Sequence, residues 1–495
     1  MNATSNWISR SMGRLRPADS KAAAAGKDKS PGQDGASAPA RPAPERSTHE
    51  RLQATLRKSG EALAPRALRR LLTDLQEAAA PGVSEIEGGR RAQAVAAWYA
   101  QATPEERRDL WLLMCEQFAP DATRVKSAQQ RYEAAAGTDD APQAEAHLRR
   151  ALVSPRARLL QRFAVFAEGM RFLVDLRAEL LPLLKSDKRL LPLDAELEQL
   201  FSTWFDVAFL ELRRLSWDSP ASLIEKLIKY EAVHDIRSWA DLKNRLDSDR
   251  RCYGFFHPRL PNEPLIFVEV ALVKEISSSI TPLLDESAEA ADIQRANTAI
   301  FYSISSTQTG LRGVSFGDSL IKHVAETLTA EFPRLRTFAT LSPIPGFRAW
   351  LVKNCAAQLQ QLDDKRRAEL GRAVDIEPHN AKNLAAQLLA AADKPLDLAP
   401  KSPVRQWLMQ CAARYLGREL QGGKPLDPVA RFHLGNGARV ERLNWAGDPS
   451  AKGLKQSFGL MVNYLYDLKR IDKHRALLAQ GRVPVSGDID SLCKD

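Results

Sequence analysis

Between residues 46 and 200 the apolar positions recur at helical spacing. In "RALRRLLTDLQEA", Leu68, Leu71, Leu72 and Leu75 fall at i, i+3, i+4 and i+7, one face of a helix. "TPEERRDLWLLMCEQF" predicts a helix start, with Thr103 as N-cap, Pro104 at the first helical position and Glu106 closing a capping box. "RLLQRFAVFAEGMRFLVDLRAELL" reads as one amphipathic helix over 158–181. Almost nothing here alternates with period two, so residues 46–200 are expected to form a helical bundle that serves as an oligomerisation domain. The preceding stretch, "KAAAAGKDKSPGQDGASAPARPAPE", holds too few large apolar groups to offset the entropy of ordering them. Residues 1–45 are therefore expected to be a disordered tail.

The pattern changes after about residue 200. "LFSTWFDVAFLELRRL" still reads as helix, and "ASLIEKLIKYEAV" as a second one. Short β-branched runs follow: "EPLIFVEVALV" (263–273), "NTAIFYSISST" (297–307) and "LRTFATL" (335–341). Between the last two lie Gly310, Gly313 and Gly317, opening an amphipathic helix that carries Leu320, Ile321, Val324 and Leu328. Strand, Gly-rich turn, helix and strand make a βαβ unit if the strands are parallel. "FHLGNGARVERLNW" (432–445) reads as strand and turn. "KGLKQSFGLMVNYLYDL" (452–468) reads as a helix with Leu454, Phe458, Met461, Val462 and Leu465 inward. The fold class expected is α plus α+β, with residues 201–495 as the second domain.

Charge adds one constraint. Lys and Arg number 71 against 61 acidic residues, a net charge of +10, which suits an anionic ligand. No Lys/Arg run has interleaved aromatics, so nucleic acid is not an expected partner. No window approaches the roughly 18 to 20 apolar residues of a membrane span. The five cysteines are widely spaced without CxxC and read as reduced thiols. The eight histidines form no HExxH or His/Cys ligand cluster, so no metal is expected. No apolar leader follows the N-terminus and the chain ends in "LCKD", so a cytoplasmic location is expected.

Three segments invite chemistry. Ser342, in "TLSPIPGF", lies at the carboxyl end of a strand, where ligands of open sheets sit. It could equally be a Ser-Pro turn whose hydroxyl bonds a neighbouring amide. His433 is flanked by Phe432 and Leu434, so it could be a satisfied core residue or the partner of a catalytic serine. The Gly-rich loop could present backbone amides and Arg312 to a pyrophosphate.

Taken together, "FYSISSTQTGLRGVSFGDSLIKHV", "LSPIPGF", "FHLGNGARVERLNW", "RRCYGFFHP", "EPLIFVEVAL" and "SFGLMVNYLYDL" resemble the malonyl-CoA decarboxylase family, in order over 200–468. The resemblance implies a helical N-terminal domain followed by a catalytic domain with the fold of the GNAT acetyltransferases. It implies cleavage of malonyl-CoA to acetyl-CoA and carbon dioxide with no metal or organic cofactor, by a homo-oligomer. The family's catalytic serine and histidine fall on Ser342 and His433. Its substrate loop falls on Arg312, Gly313, Val314, Ser315, Phe316, Gly317 and Asp318. A supporting tyrosine falls on Tyr466, with Tyr464 as its rival. Ser315 stands where the family pattern carries an acidic residue. A histidine of near-neutral pKa would suit protonation of the enolate. The alternatives are a CoA-dependent acyltransferase and a non-enzymatic helical scaffold.

Overall fold

The computed structural model describes residues 62–314, 320–376 and 381–494. The expected tail at 1–45 lies outside them. From Pro65 to Trp204 the ordered elements are all helical. Leu68, Leu71 and Leu75 are buried on one face of Pro65–Ala79, and Leu72 lies half-buried beside them. The Thr103 capping box is formed in both directions. The run at 158–181 is two helices rather than one, Pro155–Phe163 and Gly169–Leu180. The chain turns between them at Gly169, where a Cβ would fall 1.7 Å from the Phe163 carbonyl oxygen.

The second half is built on an eight-stranded sheet. Its strands are β1 (Glu211–Leu215), β2 (Arg250–His257), β3 (Leu260–Val273), β4 (Thr298–Ser306), β5 (Thr337–Thr340) and β6 (Ser342–Pro343), with β9 (Arg439–Asn444) and β10 (Met461–Leu465). The pairs β7 (Leu420–Gln421) and β8 (Lys424–Pro425) make a separate small hairpin. The order is β1-β2-β3-β4-β5-β10-β6, with β9 on β10. The β4–β5 pair is parallel, as the βαβ reading requires, and the other ladders are antiparallel. β2 is buried along its whole length and β3 along most of it, as expected for strands covered on both faces. Pro264, which has no amide to donate, falls next to a register shift in the β2–β3 ladder.

Three further expectations are corrected. The α-helix of "LFSTWFDVAFLELRRL" ends at Trp204, one 3₁₀ turn follows at Val207–Phe209, and the last residues form the edge strand β1. "FHLGNGARVERLNW" begins on a helix, Pro428–Gly435, and becomes strand only at Arg439. Asp427 as N-cap and Pro428 at the first position are the start signal that a strand reading passes over. "KGLKQSFGLMVNYLYDL" is a short helix, Ala451–Ser457, and then β10. Phe458 and Gly459 take positive φ values of 54° and 79° between them, which ends the helix and redirects the chain.

One apolar core joins the two halves. Leu68, Phe163 and Leu173 of the helical region belong to the same buried cluster as Val268, Val324 and Leu434.

Candidate active site

The site begins where two strands part. β4 is paired with β5 only as far as Phe301 opposite Thr340. The Leu341 amide still reaches the Phe301 carbonyl at 3.0 Å. Beyond that point β4 continues to Ser306 on β3 alone, while Ser342 and Pro343 pair with Val462 and Met461 of β10. A cavity of about 810 Å³ occupies the opening. Ile304, Ser305 and Ser306 of β4 line it, together with the loop from Gln308 to Val314, Ser342 and the helix residues Phe432 and His433.

Thr340 fixes the end of the strand. Its hydroxyl oxygen accepts from the Tyr464 amide at 3.1 Å and its carbonyl from Asn463 Nδ2 at 2.7 Å. The Ser342 hydroxyl donates to Thr340 Oγ1 at 2.8 Å, and Ser342 Oγ lies 3.2 Å from His433 Nε2. His433 Nδ1 lies 2.8 Å from the Tyr466 hydroxyl. The imidazole stacks on the Tyr464 ring, centroids 4.7 Å apart and planes inclined by 25°. Both rival tyrosines therefore touch the histidine, Tyr466 by hydrogen bond and Tyr464 by its ring.

Burial pushes the His433 imidazole down to about 3, so it is neutral near pH 7. This corrects the expectation of a near-neutral pKa, because among the described residues no carboxylate beside the ring offsets its desolvation. A neutral ring has one N–H. The single proton of Ser342 is given to Thr340, so Ser342 Oγ accepts and Nε2 carries the ring proton. Nδ1 then accepts from Tyr466, whose hydroxyl burial keeps protonated. The result is a directed chain, Tyr466 to His433 to Ser342 to Thr340.

Asp427 was not singled out by sequence reasoning. Its carboxylate accepts the Val429 and Ala430 amides at 2.9 and 3.0 Å, capping the helix that carries His433. Its other oxygen faces the Gly346 amide at 3.4 Å, in the turn after Ser342, and accepts from the Tyr415 hydroxyl at 3.3 Å. One buried side chain thus ties the histidine helix to the serine turn. Burial pushes this carboxyl up, opposed by the amides that point at it.

The loop is only partly as expected. The amides of Leu311, Arg312 and Val314 bond to carbonyls within the loop, so they do not cradle a ligand. The Arg312 side chain is exposed and lines the cavity, as does Arg431, a second cation that sequence reasoning missed. Gly313 has φ of 84°, which accounts for a glycine there. Ser315, Phe316, Gly317 and Asp318 lie outside the described residues. No cluster of metal-ligating side chains occurs among the described residues.

Fold and site define a chain with a helical region leading into an α+β domain, whose cavity holds a buried Ser–His pair. Residues 208–495 match the family model for the malonyl-CoA decarboxylase C-terminal domain, and 118–205 that for its N-terminal domain. The crystal structure of malonyl-CoA decarboxylase from Rhodopseudomonas palustris is 39% identical, with a TM-score of 0.72 over 86% of this chain and 99% of that one. The enzyme from Cupriavidus metallidurans is 43% identical, with a TM-score of 0.68 over 86% and 100%. The mitochondrial malonyl-CoA decarboxylase of the goose Anser anser anser is 40% identical over 331 residues, 64% of this chain and 65% of the relative. The match thus spans a little under two thirds of that relative's length. The chain belongs to the malonyl-CoA decarboxylase family, a family of carboxy-lyases.

Two outcomes follow from this geometry. Below pH 6.5 the unfolded chain binds a proton at His433 that the native state refuses, so stability should fall as pH falls. His234, His257 and His474 are also held low by burial and act in the same direction. His433→Asn should flatten the slope by about 1.4 kcal/mol per pH unit between roughly pH 6 and 4, measured by denaturant unfolding. Asp427→Ala should cost about 1 to 2 kcal/mol through loss of the cap, and Asp427→Asn less. Equal costs for the two variants would deny the cap its role.

Proposed function

We propose that this chain decarboxylates malonyl-CoA to acetyl-CoA and carbon dioxide in the cavity between β4 and β5. The observation that carries this reading is the hydrogen-bonded pair of Ser342 and His433 on the cavity wall, at 3.2 Å. Breaking the bond between C2 and the carboxylate carbon releases carbon dioxide and leaves the electron pair as a thioester enolate. The site must stabilise that oxygen and deliver one proton to C2.

The neutral His433 suits the task. An imidazolium would bind the substrate carboxylate in the ground state and resist its departure. A neutral Nε2–H or the Ser342 hydroxyl is a weak acid, but an enolate carbon is a much stronger base than either conjugate. Each donor aimed at the developing charge contributes about 3 kcal/mol. To act on the substrate Ser342 turns its hydroxyl proton from Thr340 toward the thioester, and a proton that it gives up is made good from His433 Nε2–H and then from Tyr466, which regains its own from water. Arg312 and Arg431 supply positive charge for the CoA phosphates, away from the reacting carbon. The free edge of β4 from Tyr302 to Ser306 offers backbone donors and acceptors to the amides of the pantetheine arm.

The enzyme acts as a cytoplasmic homo-oligomer. No helix among the described residues is long and apolar enough to cross a membrane. The helical half exposes Ile86, Leu152, Val153 and Leu191, apolar groups suited to contact with a second copy. Ile86→Lys combined with Val153→Asp should sediment as a smaller species than the parent chain. An unchanged assembly state would place the contact elsewhere.

Ser342→Ala should fold nearly normally and retain CoA affinity while kcat falls by about 10², the usual loss of an oxyanion donor. His433→Asn should lower kcat by roughly 10² to 10⁴. The wild-type pH profile should show no limb near neutrality, because the imidazole does not titrate there. The double variant should be less than additively worse, since the two groups act as one unit. A Ser342→Ala variant with wild-type turnover would make "SPIPGF" a structural turn and end the proposed mechanism.

A further inference from the structure

Among the described residues, the side chains of the helical region that hydrogen-bond to the cavity loop lie on one face of one helix. Arg171, Val174 and Arg177 stand at i, i+3 and i+6 of Gly169–Leu180 and meet alternate residues of the loop. Arg171 Nη1 donates to Gln308 Oε1 at 2.8 Å. A Cβ on Gly310 would fall 1.9 Å from the Val174 carbonyl oxygen, so this glycine is required by packing on the helix and not by a ligand. Arg177 Nη1 donates to the Gly310 carbonyl at 2.8 Å and to the Arg312 carbonyl at 2.9 Å.

Arg177 is itself 1% exposed. Its Nε donates to Asp194 at 2.8 Å, and Glu198 lies 3.5 Å from Nη2. A guanidinium so deeply buried is retained at a desolvation cost and needs a compensating arrangement of partners. Two of those partners are loop carbonyls. Drawing them toward the helix turns the negative ends of two peptide dipoles away from the cavity. The Arg312 side chain is left on the cavity side, where an anion would meet it.

We propose that Arg177 is a positioning residue for substrate binding: it orients the Gly310–Arg312 backbone so that Arg312 faces the CoA phosphates. The helical region then takes part in substrate recognition. This rests on the reading of the cavity as a CoA-thioester site with Arg312 at the phosphates.

The test compares malonyl-CoA with malonyl-pantetheine, the same thioester without the nucleotide, on full-length chains. The informative variant is Arg177→Met with Asp194→Asn, which removes both members of the buried pair and avoids stranding a charge. KM for malonyl-CoA should rise about ten-fold, the scale of a displaced contact group. The change in kcat should be smaller, and the loss with malonyl-pantetheine at most about two-fold. Adding Arg312→Ala should cost little more. Arg177→Lys, which cannot span both carbonyls and Asp194, should fall between. Should the double variant fail to fold, Gly310→Ala pushes the loop off the helix from the other side and should give the same pattern. Equal losses with both substrates, or a KM for malonyl-CoA at the wild-type value, would overturn the inference while an effect of Arg312→Ala alone left the phosphate reading standing. If the wild type does not distinguish the two substrates and Arg312→Ala is silent, the phosphate reading falls and the inference falls with it.

Discussion

The hydrogen bond from the Leu341 amide to the Phe301 carbonyl, 3.0 Å long, closes the ladder between β4 and β5. Past it the two strands follow different partners. β4 stays with β3, and the continuation of β5 is drawn to β10 at Ser342 and Pro343. Pro343 has no amide with which to rejoin β4. The cavity, the exposed edge of β4 and the position of Ser342 at the strand end all follow from that separation. A sheet that stayed paired would have no room for a ligand here.

Within the opening, desolvation decides the chemistry. His433 arrives on a separate helix and is placed between a tyrosine ring and two hydroxyls, with no carboxylate beside it among the described residues. The ring is consequently neutral, and the hydroxyl of Ser342, committed to Thr340, determines which nitrogen bears the proton. Asp427 does its work one step away. It holds the helix and the turn in register through amides and leaves the imidazole electrically undisturbed. A carboxylate in contact with the ring would favour imidazolium.

Much of this was legible in the sequence. The helical face of Leu68, Leu71 and Leu75, the Thr103 capping box and the strands β3, β4 and β5 follow from local spacing, and local spacing was respected. Ser342 was placed at a strand end by the same reasoning. The failures share a cause. The corner at Phe458–Gly459 needs positive φ at two consecutive residues, which apolar periodicity does not register, so helix and strand merged into one predicted helix. The helix of His433 is short, and its apolar neighbours and following glycines resemble a strand and hairpin more than its Asp-Pro start resembles a helix. Gly310 read as a ligand glycine because its true neighbour, Val174, is distant in sequence. Asp427 was silent for the same reason, since its cap is local but its bond to Gly346 is not.

The helical and sheet regions share a core, and the loop that carries Arg312 is seated on a helix of the first region. The loop on one side of the cavity is therefore held by residues of both halves of the chain. The most direct measurement is incubation of the full chain with malonyl-CoA alone in D₂O, followed by mass spectrometry of the thioester and assay of released carbon dioxide. The account predicts carbon dioxide and acetyl-CoA in equal amounts, with one solvent deuterium on the methyl carbon and no need for an added amine. Unchanged malonyl-CoA, or an acyl group that leaves CoA only when an amine is supplied, would contradict it.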